Sequence, residues 1–531
     1  MGDKYDRQLR LWGVQGQRRL SHTHVLVLGS CAAAAEALKN LVLPGVQRFT
    51  VVDDQLVTLA DVATHFFVSS ASVGASRCET VARNVQELNA DVAGGARHAN
   101  VEHVLETEPQ FLDPFDLVMA TQLNERGTLL LADLCRQKRR PLIVVTTWGL
   151  VASLRLQVLD HVIADAKVDP PRLDLRLSKP FATLTEFADS FDLQSLSRRD
   201  HAHVPFVVVL LQVREQWARD HDGHMPTTFA EKDAFKKRLQ DMAWGAPGHE
   251  VNFVEAAENA YMAYVASQVP EEVAPVLAAA ASRVGSVKAL QTTKDVDVVT
   301  QEFWLLASAL ADFVELNDGM LPVTGVVPDM TASTESYVAL QELYVTKAKE
   351  DAIKVHEILC KRLRDLKLPE DMISYESVAA FCKNAPSIGV LATRSVAQEY
   401  EHVDLSDVDL EEEDKEQSPL IWYFMLRAVT SFASKFNRYP GSENAIVAQD
   451  RAWLVTRARA LAAGSDVAKW ISDDHAMEMT RSCQVELHNI AALMGGVAAQ
   501  EAVKLITHQF EPLNHTYVFN GISGVAATYR L

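Results

Sequence analysis

Residues 25–29 (Val-Leu-Val-Leu-Gly) form an unbroken apolar run closed by glycine, the pattern of a parallel strand covered on both faces. Strong helix formers fill residues 32–43, and Pro44-Gly45 stops them with both common breakers. Phe49-Thr50-Val51-Val52-Asp53 reads as a second buried strand ending in an acid, which completes a βαβ unit. Further core strands are expected at 115–120 and 141–146, on either side of a helical stretch at 127–140, and another at 154–159. The first third of the chain is thus predicted to be α/β, a Rossmann-like doubly wound sheet. Beyond about residue 165, long amphipathic segments rich in Ala, Leu, Glu and Lys, such as 301–316 and 337–366, predict a mostly helical middle. Near the end, residues 491–501 predict a helix with one very small face, with candidate strands at 517–519 and 526–529.

Composition narrows the function classes. The 531 residues leave room for several compact units, and no self-similar period marks one continuous helical repeat. The N-terminus has no apolar signal region, and the longest apolar run, 204–213, falls short of a membrane span, so no membrane and a cytoplasmic and nuclear location are expected. A formal charge of −19 disfavours nucleic acid, whose affinity is built mainly from Lys and Arg, and favours a protein partner. Six cysteines without a C-x-x-C pair argue against a disulfide framework and a thiolate zinc site. The acidic stretch at 404–416 reads as a solvated loop.

The candidate chemistry lies after the first strand. A phosphate loop needs glycine where backbone amides touch phosphate oxygens. In Gly29-Ser30-Cys31-Ala32-Ala33-Ala34 the first glycine survives, while Cys31 and Ala34 take the places of the second and third. Asp53 could accept a ribose hydroxyl, as in NAD-binding proteins. The spacing favours a retained fold with a dead pocket over a working nucleotide site. No phosphate-loop lysine motif, nucleophile elbow or H-E-x-x-H helix occurs. His201 and His203, with His221 and His224 nearby, lack convergent further ligands and read as structural, so no metal is assigned. Cys78, Cys135 and Cys360 lie in helical, apolar stretches and read as small buried hydrophobes, and Cys382 and Cys483 have no better claim to catalysis.

Residues 5–13 (Tyr-Asp-Arg-Gln-Leu-Arg-Leu-Trp-Gly), 38–45 and 495–501 together resemble the ubiquitin-like modifier activating enzymes, whose ThiF-like adenylation domain occurs twice, in one chain or in two subunits. Segments 200–205, 303–307, 328–330 and 340–344 are most similar to the regulatory subunits used in neddylation, so the resemblance covers nearly the whole chain. It implies a pseudo-adenylation domain built from residues 1–165 and 484–531, interrupted by a helical insertion at 166–483 without the catalytic cysteine. It also implies an obligate heterodimer in which the catalytic partner binds ATP and magnesium, adenylates the modifier and carries its thioester, while this chain binds no cofactor.

Against the active members, the ribose-binding aspartate is replaced by Gln55, the Asn-x-x-Arg-Gln-Phe segment reads Ala60 to Phe66 without the Arg, the lysine after Gly74 is Ala75, and the adenylation-site aspartate is Leu123. By the same resemblance Arg7 reaches the partner's ATP. Pro328, Tyr337, Leu340, Gln341, Tyr344 and Lys347, on an amphipathic helix, are the expected partner-facing strip, with plain core as the bland reading. The rivals are an NAD-dependent oxidoreductase using Gly29 and Asp53, a pure scaffold, and the silent subunit for another ubiquitin-like modifier.

Overall fold

The apolar runs form the centre of an eight-stranded sheet in the computed structural model, which describes residues 4–168, 172–245, 248–290 and 298–531. Strands β1 (His24–Leu28), β2 (Arg48–Asp53), β3 (Ala93–His98), β4 (Leu117–Thr121) and β5 (Leu142–Trp148) are parallel, and β6 (Val151–Gln157) returns as a hairpin on β5. Strands β7 (Thr516–Asn520) and β8 (Val525–Tyr529) from the end of the chain complete the order β8-β7-β6-β5-β4-β1-β2-β3. In register, Val25–Leu28 face Phe49–Val52 on one side and Leu117–Ala120 on the other. Helices cover both faces, which is why Val25–Leu28 of β1 and Leu117–Ala120 of β4 carry no polar residue.

Helix α1 (Asp6–Leu20) precedes the sheet, α2 (Ala32–Val42) crosses from β1 to β2, and α3 (Arg77–Gln86) leads into β3. Helix α4 (Thr334–Asp365) belongs to the helical region, α5 (Pro419–Phe436) follows the acidic loop, and α6 (His488–Thr507) packs on α2, β5 and β6. The small face of α6 is explained by that packing: a Cβ on Gly495 would lie 2.6 Å from Glu36 Cβ and 2.9 Å from the Ala33 carbonyl oxygen. By length and composition α6 is also the one helix among the described residues able to cross a membrane, yet two-thirds of that window is buried as a core helix is.

The chain forms two compact units, Met1–Ile163 with Val390–Leu531, and Ala164–Gly389. The return to the sheet unit therefore begins at 390 and not at the expected 484. The cause is α5, apolar all round, which buries Leu420, Ile421, Phe424, Met425 and Ala428 in one cluster with Trp148, Val151 and Val518. The helical unit has its own core, including Leu184, Val207, Leu210, Phe235, Phe253, Leu340 and Tyr344.

Candidate functional site

Strand β1 turns into α2 at Gly29, whose φ is +92°. A Cβ there would stand 2.5 Å from Thr121 Oγ1 and 2.7 Å from the Thr121 carbonyl oxygen, so only glycine lets β4 approach this closely. The turn aims the first free N–H groups of α2 at the point where β1 and β4 diverge, the place where doubly wound sheets bind phosphate. Here a carboxylate holds that place. Glu486 Oε2 accepts the Ala32 N–H at 2.7 Å, and Oε1 accepts the Thr147 hydroxyl at 2.5 Å. Cys31, the residue before α2, is buried; burial and the nearby Glu486 carboxylate push its thiol up, which disfavours the thiolate.

Asp53 ends β2, as expected, and is only 5% exposed. Its Oδ2 accepts the Ser30 hydroxyl and N–H, and receives the Arg77 guanidinium through Nη2 at 2.8 Å and Nε at 3.1 Å. Oδ1 accepts the Gln55 N–H at 3.1 Å. Arg77 also reaches Asp61 Oδ1 at 3.2 Å. His65, in the segment lacking the family's Arg, donates Nε2–H to the Ser30 carbonyl at 3.1 Å and accepts the Phe67 N–H at Nδ1, an arrangement only a neutral ring makes. Burial lowers its pKa accordingly.

The family's Arg and Lys are absent as the sequence indicated, but the pocket is not without a cation: Arg77, three residues beyond Gly74, lies against Asp53 and was missed. The signal was an arginine in the first turn of a helix capped by Ser76, whose hydroxyl accepts the Glu79 N–H. Gln55 is exposed and bonded to Asp54, Ala34 is buried within α2, and Leu123 packs against the apolar cluster beside β4, offering no carboxylate to a metal. Among the described residues no group of three or more His, Cys, Asp or Glu is placed to hold a metal. Glu486 thus occupies the head of α2, and Arg77 pairs with Asp53, the residue expected to accept a ribose hydroxyl.

Arg7 lies near the start of α1, exposed, and makes no ion pair or hydrogen bond among the described residues, whereas Arg10 pairs with Asp6 at 2.9 Å. The helix start is anchored by Tyr5, whose hydroxyl donates to Asp91 Oδ2 at 3.2 Å and accepts from Asn89 at 3.1 Å. Gly45 makes room for it: a Cβ there would meet that hydroxyl at 2.7 Å. Gln17 donates to the Pro44 carbonyl at 2.8 Å and Gln509 to that of Trp12 at 2.9 Å. The opening signature and Pro44-Gly45 are therefore one packed feature that holds Arg7 outward.

The chain matches the ThiF family over residues 5–528. It is 34% identical to the NEDD8-activating enzyme E1 regulatory subunit of Danio rerio, covering 99% of this chain and 98% of that one, and 36% identical to the Drosophila melanogaster subunit, covering 99% and 97%. The Saccharomyces cerevisiae subunit is 24% identical over the full length of both chains. The chain belongs to the family of NEDD8-activating enzyme E1 regulatory subunits. The reading as a neddylation regulatory subunit on an α/β adenylation fold with a helical insertion is borne out.

In this regulatory subunit the expected partner-facing strip is corrected. Leu340 and Tyr344 are 0% exposed, and the Tyr344 hydroxyl donates to the Leu175 carbonyl at 2.6 Å. Tyr337 packs half-buried on the same core, and Lys347 is paired at 2.6 Å with the buried Asp351. Pro328 precedes the helix and lies outside any helix or strand, since α4 begins at Thr334 behind the cap Ser333. Of the six, Gln341 alone is exposed. Spacing of three and four along a helix marks a buried stripe, and here the stripe faces its own unit. His201 is structural: it is buried, donates to Glu250 at 2.9 Å, and stacks flat on Trp244 at 4.2 Å, while His203 bonds the Arg199 carbonyl at the surface.

Proposed function

We propose that this chain adenylates nothing alone and acts as the regulatory half of an obligate heterodimer. The catalytic partner binds ATP and magnesium, adenylates the ubiquitin-like neddylation modifier and carries its thioester. Arg7 is supplied in trans to the partner's ATP. The observation that carries this reading is the contrast between two arginines: Arg77 is locked onto Asp53 inside a filled pocket, and Arg7 stands exposed on an anchored helix with no partner among the described residues. A guanidinium stays charged at any working pH, and its fork matches phosphate oxygens, so Arg7 can neutralise pyrophosphate as it leaves. Leu11, one turn on, is 54% exposed and Val14 is 72% exposed, apolar surface suited to cover by protein.

The test is pyrophosphate exchange with ATP and the modifier, using this chain alone, the catalytic partner alone, and the two mixed. Exchange only in the mixture is expected. Exchange by this chain alone would overturn the proposal and place the enzyme here.

A further inference from the structure

The N-terminal amides of a helix need partners, and in an active adenylation fold a bound phosphate group supplies them. Here the Glu486 carboxylate takes the Ala32 N–H at 2.7 Å from 454 positions away in the sequence, while its other oxygen is held by Thr147. The Glu486 backbone bridges to Gly149 at the hairpin between β5 and β6, so the side chain is delivered from a fixed point of the sheet. A second, opposite charge completes the arrangement. Arg77 is 17% exposed and lies against Asp53 and Ser30. Arg77 Nε donates to the Ser30 hydroxyl at 3.1 Å, two residues before Ala32, so the guanidinium lies beside the turn that leads into α2.

We infer that Glu486 is an internal stand-in for a phosphate group: its carboxylate plugs the anion place at the head of α2, and its removal uncovers a site for pyrophosphate-like anions bordered by Arg77. The inference rests on the reading that this copy binds no nucleotide, and it names what keeps the copy silent. A second anion is excluded from the native pocket because the plug is itself negative and occupies the amide it would need. The same contact bolts the start of α6 to the start of α2, so the plug also serves the fold.

The experiment follows the thermal midpoint of the purified full chain with and without millimolar inorganic pyrophosphate. The native chain should show no response. Glu486→Ala should melt lower and recover by about 2 °C or more with pyrophosphate, because a ligand that binds only the folded state raises its stability. The double variant Glu486→Ala with Arg77→Ala should lose that recovery. Should Glu486→Ala not fold, Glu486→Gln removes the repelling charge while keeping the shape, and the same recovery is expected of it. Variants that respond no more than the native chain would overturn the plug and leave the silent-copy reading standing. A response from the native chain would overturn both.

Discussion

Arg7 and Arg77 carry the same side chain to opposite ends. Arg77 is paired within its own chain, with Asp53 at 2.8 Å and Asp61 at 3.2 Å. Arg7 is exposed and has no such partner among the described residues, which leaves it available for the role proposed in trans. Replacing Arg7 with Ala should lower adenylate formation by the reconstituted heterodimer about 10²-fold, with assembly unchanged in gel filtration. An unaltered rate would mean that the subunit is a scaffold only. At Gly29, a Cβ 2.5 Å from Thr121 Oγ1 combines with a left-handed φ. Gly29→Ala should therefore cost about 2–3 kcal/mol, measured by chemical denaturation, and a loss below about 0.5 kcal/mol would show that β4 can yield. Gly29 and Asp53 could be found in the sequence because each closes a strand, a local pattern. Glu486 could not, since a lone carboxylate 454 positions from its partner carries no local mark of pairing. Arg77 was missed for a related reason: an arginine in the first turn of a helix reads as surface charge until the fold turns it inward.

At the scale of elements, the contact between α2 and α6 sets two neighbouring glycines apart. A methyl on Gly495 would meet Ala37 N at 2.8 Å and the Ala33 carbonyl oxygen at 2.9 Å, backbone atoms that cannot rotate away. A methyl on Gly496 would meet nothing within 4 Å. Gly496→Ala should therefore stabilise the chain by about 0.5–1 kcal/mol through helix propensity. Gly495→Ala should instead destabilise it by about 1–3 kcal/mol, because overpacking outweighs the same gain. Equal effects in thermal denaturation would mean that the helices are not in this register. Strands β1, β2, β4 and β5 were legible as continuous apolar runs because they are buried on both faces, while β6, β7 and β8 were legible as shorter apolar or aromatic stretches. Strand β3 was invisible because it is the sheet edge: Ala93-Gly94-Gly95-Ala96-Arg97-His98 stays largely open to solvent and need not be apolar. The sequence of helix α5 does not say which unit it covers, so residues 390–483 were placed in the insertion. The stripe through Leu340 and Tyr344 misled in the same way, since periodicity marks a buried face without naming what buries it.

For the whole molecule, the sheet unit contains several histidines that the fold keeps neutral. Burial first, then the Arg48 charge, lowers His24 to about 4; burial first, then Arg155, lowers His515 to about 4. His515 Nε2 accepts the Arg394 N–H at 3.1 Å, a bond that a protonated ring cannot make. His65 and His475 are lowered by burial as well. A folded pKa below the unfolded value of 6.5 means that the unfolded chain takes up protons first, so this stability is complete above pH 6.5 and lost as pH falls through about 4. Asp61 and Asp450, held below the ordinary carboxylate range against desolvation by hydrogen bonds from Thr58 and Arg438, add a further loss below that window. The thermal midpoint should therefore decline steadily from pH 6.5 towards 4 at fixed ionic strength. Hydrogen exchange should open first at the amides around His24 and His515. Proton uptake also reduces the formal charge of −19 and eases self-repulsion, which acts in the opposite direction. A falling midpoint in this interval thus requires specific buried groups, and a flat or rising one would mean that these rings are protonated in the folded chain without penalty.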